Sequence, residues 1–165
     1  MADKGTKMRW TKDDWGVSDN HLLMLQLLAG KQVTCDTFAK YDNARCSKFY
    51  TEIPCATSAG INAFSNSWEA DFNWVCPPVR LIPFVIKHIK CQKCEGILII
   101  PRWPTAILWP IITTDGSHLI PIFKDGVSFK SKILVNHEKK EQAFKSRSTL
   151  MLGLMFDTNK EDFSN

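Results

Sequence analysis

The sequence contains no long hydrophobic run, no internal repeat and no low-complexity tract. A membrane-spanning helix needs about 20 consecutive, mostly apolar residues, which no stretch of this chain supplies. Residues 1–7 are polar and no apolar segment follows them, so we also expect no secretory signal. These absences predict an intracellular protein, in the nucleus or the cytoplasm, with no membrane partner.

A strong excess of one charge is also missing. The chain has 21 Lys and Arg against 17 Asp and Glu, for a net charge of +4. Such a balance permits an anionic partner such as DNA but does not require one. Cationic residues are frequent in 124–147, but acidic residues interrupt them, and a solvated surface is the simpler interpretation. Nothing in the pattern predicts an oligomeric state.

The cysteines follow no repeated spacing. Six are present, and one pair, Cys91 and Cys94, forms a CxxC. A structural zinc site needs four ligands, and the further candidates, Cys46 and Cys55, fall in an irregular stretch. We therefore predict no metal site and interpret the cysteines as reduced thiols of an intracellular protein.

What the sequence does contain is sufficient for one folded domain. With 165 residues, 44% of them hydrophobic, the chain can bury a core of its own. We predict a polar N-terminal segment over residues 1–12, an α/β domain over residues 13–150 and a polar C-terminal tail over residues 151–165.

Helical and strand patterns alternate along this domain. Ser18 and Gly30 have the residue types of an N-cap and a C-terminal stop, and the leucine-rich segment between them predicts a largely buried helix. Apolar residues after Pro78 recur at helical spacing and predict a second helix that ends near Cys94 and is closed by Gly96. The predicted strands are 33–39, 63–64, 73–76, 97–100, 119–123 and 132–135, with an irregular segment over 41–62.

This alternation predicts an α/β fold with a single Rossmann-like open sheet and flanking helices. In such sheets, ligands bind outside the carboxyl ends of the strands. We expect functional residues in three strand ends, Asp36–Ala39, Cys76–Val79 and Pro101–Trp103. Arg102 and Trp103 are candidates for nucleic-acid contacts, although a solvent-facing arginine and a packed tryptophan are the simpler interpretations.

The double-proline segment has the spacing of a base-binding loop. Enzymes that methylate exocyclic amino groups of bases carry Asp, Asn or Ser, then Pro-Pro, then Tyr or Phe, after a central strand. The polar residue and the first proline's carbonyl accept hydrogen bonds from the target amine, and the aromatic ring stacks on the flipped base. Here Cys76-Pro77-Pro78-Val79 follows a predicted strand in the same way.

The order of these segments resembles a known family. The chain is similar to the DNA N6-adenine methyltransferase-like segment of DIRS-type retrotransposon polyproteins, which is itself similar to phage-type DNA N6-adenine methyltransferases. The resemblance covers about residues 10–135 and depends on the order of the segments 35–39, 43–46, 49–50, 63–68, 74–79 and 96–109.

The resemblance implies a methyltransferase-like fold, DNA as a partner and, in an active enzyme, S-adenosylmethionine as the cofactor. It implies that Asp36 holds a ribose hydroxyl of the methyl donor. It also implies that Phe38 and Ala39 line the adenine pocket and that the loop 76–79 is the catalytic, base-binding loop.

Two positions of that loop depart from the family pattern. Cys76 stands where active enzymes have the polar acceptor, and a thiol accepts hydrogen bonds poorly. Val79 stands where they have the aromatic ring, and valine has no π-face. The glycine-rich donor loop common in methyltransferases is absent too. We therefore predict a retroelement-derived, catalytically degenerate adenine methyltransferase-like domain that is retained for nucleic-acid or partner binding.

Two alternatives remain open at this point. One is an active S-adenosylmethionine-dependent DNA N6-adenine methyltransferase that still uses the loop 76–79. The other is a remnant of an RNase H-like nuclease, which needs three or four carboxylates around two metal ions. The carboxylates available for that chemistry are Asp36, Glu69, Asp71 and Asp115.

Overall fold

In the computed structural model, the described residues are 17–40, 43–102, 108–132 and 148–159. The predicted polar segment 1–12, Trp103 and positions 133–135 lie outside these ranges. Across the described ranges, no helix is both long enough and apolar enough to span a membrane. The elements, in chain order, are α1 (Asp19–Ala29), β1 (Cys35–Ala39), β2 (Lys48–Thr51), β3 (Gly60–Ile61), β4 (Phe72–Val75), α2 (Ile82–Cys91), β5 (Glu95–Pro101), α3 (Trp109–Ile112), β6 (Phe123–Lys132) and β7 (Ser148–Asp157).

All seven of these strands join one mixed sheet in the order β3-β2-β1-β4-β5-β7-β6. Strands β1 to β5 run parallel, whereas β7 lies antiparallel between β5 and β6. The predicted α/β class, with a single sheet and flanking helices, is confirmed. The order reverses between β1 and β4, because the chain first adds β2 and β3 on one side of β1 and then returns to its other side.

Side chains of β5 alternate between two hydrophobic clusters, one on each face of the sheet. Ile97 and Ile99 join Leu25 of α1 on one face, which we call the α1 face. Leu98 and Ile100 join residues of α2 and α3 on the other, the α2 face. Burial on both faces explains why this central strand is a continuous apolar run, as predicted.

Helix α1 has the predicted limits. The Ser18 hydroxyl accepts a hydrogen bond from the amide of His21, and Gly30 ends the helix in the left-handed region with a φ of 76°. The predicted burial is wrong for part of the helix, because a helix on an open sheet contacts it along one side only. Leu25 is fully buried, whereas three leucines are more than half exposed, namely Leu23, Leu27 and Leu28.

Helix α2 ends at Cys91, before the predicted Cys94. Thr158 closes this end, since its hydroxyl lies 2.6 Å from the carbonyl of Gln92 and accepts from the amide of Cys94 at 3.1 Å. Gly96, which we predicted to close the helix, is instead the second residue of β5.

The predicted C-terminal tail is wrong at its start. Residues 148–157 form β7, which pairs with both β5 and β6. Its apolar run, 150–156, includes Met151, Leu154 and Phe156, all of them buried. A run of this length and character is typical of a buried strand, so the domain extends beyond residue 150 through Asp157.

Three other strand predictions need correction. The irregular segment 41–62 contains β2 and β3. Positions 63–64 belong to a 3-10 helix, Ala63–Ser65, whose N-cap Asn62 has a φ of 64°. Of the predicted strand 119–123, residues 119–122 contribute only an isolated bridge between Leu119 and Thr113. Pro121 has no amide hydrogen for a ladder, and β6 begins only at Phe123.

Candidate functional site

The reversal of strand order places the ends of β1 and β4 side by side. Parallel pairing aligns Asp36 with Trp74, and the Thr37 hydroxyl donates to the carbonyl of Trp74 at 3.1 Å. Strand β1 therefore ends beside the double-proline loop, residues 76–79, which follows β4 directly. The end of β5, at Pro101, comes next along the sheet. The described parts of all three predicted segments thus meet at one edge.

Side chains of the double-proline loop take part in packing. Pro77 is buried and Pro78 half-buried, and the carbonyl of Pro78 accepts from the amide of Leu81 at 3.0 Å. Cys76 packs against the α1-face cluster, and Val79 contacts the clusters of both faces. The two side chains that depart from the family pattern therefore contribute to the core.

Asp36 is the second residue of β1, so the prediction that it lies at the end of the strand is wrong. The residue is 4% exposed, and its carboxylate accepts from the amide of Arg45 at 2.9 Å. Burial raises the pKa of Asp36 to about 6, against the opposing effect of hydrogen bonds from the amides of Arg45 and Phe38. The carboxylate therefore faces the protein's own backbone and is not exposed to a ribose hydroxyl.

The turn that covers Asp36 is tied to the start of α1. The guanidinium of Arg45 donates to the Asp19 carboxylate at 2.5 Å and to the carbonyl of Val17. The Asp19 side chain is largely exposed, and ion pairs of this kind stabilise a fold only weakly. The Arg45 amide and guanidinium together link the turn to both β1 and α1.

Phe38 and Ala39, predicted to line an adenine pocket, lie in closely packed surroundings. Ala39 is buried, and the half-buried Phe38 ring lies 5.6 Å from the ring of Phe64 and 6.2 Å from that of Trp68, between centroids. The buried Trp68 indole donates to the carbonyl of Ala63 at 3.0 Å. Sequence reasoning missed this aromatic cluster, although Trp68 in a polar stretch was a signal for it.

Arg102 is exposed directly after β5, at the same edge as the double-proline loop. Its guanidinium carbon lies 5.9 Å from the centre of the Trp109 ring, a cation–π arrangement. The Trp109 indole donates to the carbonyl of Gly116 at 2.9 Å, which holds the ring in place. Trp74, in contrast, is 2% exposed and belongs to the core.

The acidic and thiol side chains do not assemble into a metal site in the described ranges, where no group of three or more His, Cys, Asp or Glu could hold an ion. Asp71 lies at the amino end of β4, where it accepts from the Thr34 hydroxyl at 3.0 Å and pairs with Lys48 at 2.6 Å. This edge is opposite to the double-proline loop. Cys91 is exposed, whereas Cys94 is buried.

The strand ends therefore combine a rigid loop, a thiol, an aliphatic side chain and an exposed guanidinium. Such a set can bind an anionic ligand through Arg102 and offer the carbonyls of the loop as acceptors, but it holds neither a strong side-chain acceptor nor an aromatic ring at positions 76 and 79.

A scan against known protein families and a search of curated proteins both gave no match to this chain.

Proposed function

We propose that this chain is a retroelement-derived domain with a Rossmann-like, methyltransferase-like fold that binds DNA and no longer transfers methyl groups. The observation that carries the proposal is the position of the double-proline loop, directly after β4 at the reversal of strand order. Ligands of open α/β sheets bind at such a reversal. The resemblance to DNA N6-adenine methyltransferases assigns the base to the same loop.

The strand order supports the methyltransferase-like fold. Doubly wound sheets commonly have the order 3-2-1-4-5 around a central reversal, and this chain has it with an antiparallel β7 between β5 and β6. The methyltransferase-like fold that the resemblance implies is a Rossmann-like sheet of this doubly wound kind. Because the order depends on strand pairing and not on the loop sequence, it supports the proposal separately from the motifs.

Loss of methyl transfer follows from the chemistry of two side chains. The target amine needs acceptors that turn its lone pair toward the methyl donor, and the Cys76 thiol accepts poorly. Stacking of a base on an aromatic ring contributes about 1–3 kcal/mol, and Val79 offers no ring. Since each ~1.4 kcal/mol changes a rate tenfold, the two replacements together lower the rate by about a hundredfold or more.

With tritiated S-adenosylmethionine and adenine-containing DNA, single- or double-stranded, we expect no methyl incorporation above a blank without protein. An active DNA adenine methyltransferase in parallel shows that the assay detects transfer. Incorporation that Cys76→Ala abolishes, and that the exposed-thiol control Cys91→Ala leaves unchanged, would contradict the proposal and establish an active enzyme instead.

DNA binding is expected to be weak and dependent on salt, because the net charge is small and Arg102 is a local cation. Arg102→Ala should reduce the slope of log K against log salt by about 1, the effect of losing one phosphate contact. Fluorescence anisotropy of a labelled duplex measures this slope, with Lys130→Ala, an exposed cation on β6, as the matched control. Equal slopes for the two variants would show that Arg102 does not contact the DNA.

A further inference from the structure

Helix α2 has a second apolar stripe, on its solvent side. Its buried face carries Ile82, Val85, Ile86 and Ile89. The second stripe begins at Leu81, the residue before α2, and continues along Phe84, His88 and Cys91 at the spacing of successive helical turns. We call these four residues the α2 stripe.

The α2 stripe lines an open, shallow groove. Together with Phe64 and Lys87, its four residues surround a volume of about 510 Å³. The ring of Phe84 is 60% exposed and Cys91 is exposed as well. Since the fold is already packed through the opposite face of α2, stability does not explain an apolar groove on this side.

The segment that forms α2 and its flanks carries positive charge only. No acidic residue occurs between Val79 and Cys94, and the segment carries four cations, namely Arg80, Lys87, Lys90 and Lys93. Burial lowers the pKa of His88 below its ordinary value, although a backbone hydrogen bond with Asn66 acts against this, so the ring adds no charge at neutral pH. Lys87 lines the groove itself, and the other three cations lie on the same helix or beside its ends.

His88 lines the groove with its ring, and one polar atom of that ring is buried. Its ring is held edge-on by Trp68, at 4.5 Å between centroids, and by Phe64, at 5.5 Å. Its Nε2 is buried and has no hydrogen-bond partner within the described structure. Since Nε2 is not accessible to solvent, a ligand in the groove contacts the ring of His88 and not this atom.

We propose that the α2 stripe is a docking site for an acidic, amphipathic segment of a partner protein, whose apolar side chains fill the groove while its carboxylates face the lysines. Anchors on one face of a helix recur at the same spacing as the α2 stripe, which suits a helix lying in a groove. Single-stranded nucleic acid fits less well, because successive bases need several exposed rings and Phe84 is the one large exposed ring of this groove. The stripe begins at Leu81, beside the double-proline loop, and runs away from that loop along α2.

The test uses the full chain and a fluorescent peptide of about four helical turns, with Leu and Phe on one face and Glu on the other positions. Two companion peptides serve as controls. One keeps the apolar face and has Lys in place of Glu. The other keeps the Glu residues and has Ala in place of the apolar side chains. We expect anisotropy to show binding of the first peptide only, weakened by added salt because the contact is partly electrostatic.

Two variants and two matched controls locate the site. Phe84→Ala should raise the Kd for the acidic peptide about tenfold or more, as expected for an anchor of the contact. Lys87→Glu should raise the Kd for the acidic peptide about threefold to tenfold and should lower the Kd for the Lys peptide. Leu27→Ala, an exposed apolar side chain of α1, and Lys130→Glu should change neither affinity.

Three results would overturn the proposal. The first is absence of binding by the acidic peptide up to millimolar concentration. The second is equal weakening by Phe84→Ala and Leu27→Ala, which would place the contact elsewhere. The third is binding of oligo(dT) or of phosphatidylserine vesicles that Phe84→Ala weakens while the peptide does not bind, which would assign the groove to another class of ligand.

Discussion

Replacing Gly96 by alanine is expected to lower the free energy of unfolding by at least about 3 kcal/mol, a large part of the 5–15 kcal/mol typical of a domain. A Cβ at this position would lie 2.3 Å from the carbonyl oxygen of Asn73 and 2.8 Å from the ring of Phe156. Asn73 is paired with Gly96 across β4 and β5, so the obstacle is the backbone of the neighbouring strand. The two central strands would have to separate to admit the methyl group.

Urea unfolding followed by circular dichroism measures this loss. Gly153→Ala on β7 is the matched control, because its Cβ would meet the end of the Leu25 side chain at 2.6 Å, and a side chain can turn away at lower cost. We expect Gly153→Ala to lower the free energy of unfolding by about 1–2 kcal/mol. Equal midpoints for Gly96→Ala and the unaltered protein would show that β4 and β5 are less closely paired than described.

The same glycine shows where sequence reasoning stops. A glycine after a helical pattern is typical of a C-cap, and Gly96 fits that rule locally. Its actual reason is the approach of another strand, which is a long-range contact that no local pattern contains. Helix α1 was predictable because both of its ends, Ser18 and Gly30, depend on neighbours within one turn.

The strands also divide into those that a local pattern predicts and those that depend on distant contacts. Strand β5 was predictable because burial on both faces leaves a continuous apolar run. Strand β7 carries an equally clear apolar run at 150–156, and the polar residues that follow this run obscure it in the sequence. The short strands β2 and β3 lie among turn residues, and they are strands because β2 pairs with β1 and β3 pairs with β2.

The candidate site was predictable in its position but not in its detail. A strand ended by two prolines is a local feature, and an open α/β sheet brings the carboxyl ends of its parallel strands to one edge. That Cys76 and Val79 pack into the core, and that Arg45 covers Asp36, depends on side chains from distant parts of the chain.

At pH 7.5, Asp36→Asn is expected to be more stable than the unaltered protein by about 2–3 kcal/mol. Burial raises the pKa of Asp36 from 3.8 to about 6, so at neutral pH the folded protein holds a charged carboxylate in an apolar setting. An asparagine oxygen can still accept from the amide of Arg45, as Asp36 does now, but carries no charge.

The raised pKa of Asp36 determines how the stability difference between Asp36→Asn and the unaltered protein changes with pH. A group with a raised pKa in the folded state binds its proton more tightly there than in the unfolded chain. Its favourable contribution is therefore complete below about pH 3.8 and is lost as the pH rises through about 6. The difference in unfolding free energy between Asp36→Asn and the unaltered protein should grow from pH 4 to pH 7 and then stay constant.

Urea unfolding of both proteins at several pH values between about 4.5 and about 7.5 provides the test, because subtraction removes the titration of every other group. Asp115→Asn is the control: its exposed carboxylate has a pKa lowered to about 2, chiefly by its hydrogen bond with His118, so its removal should not stabilise the protein at neutral pH. A difference for Asp36→Asn that does not change with pH would mean that Asp36 titrates as an ordinary carboxyl.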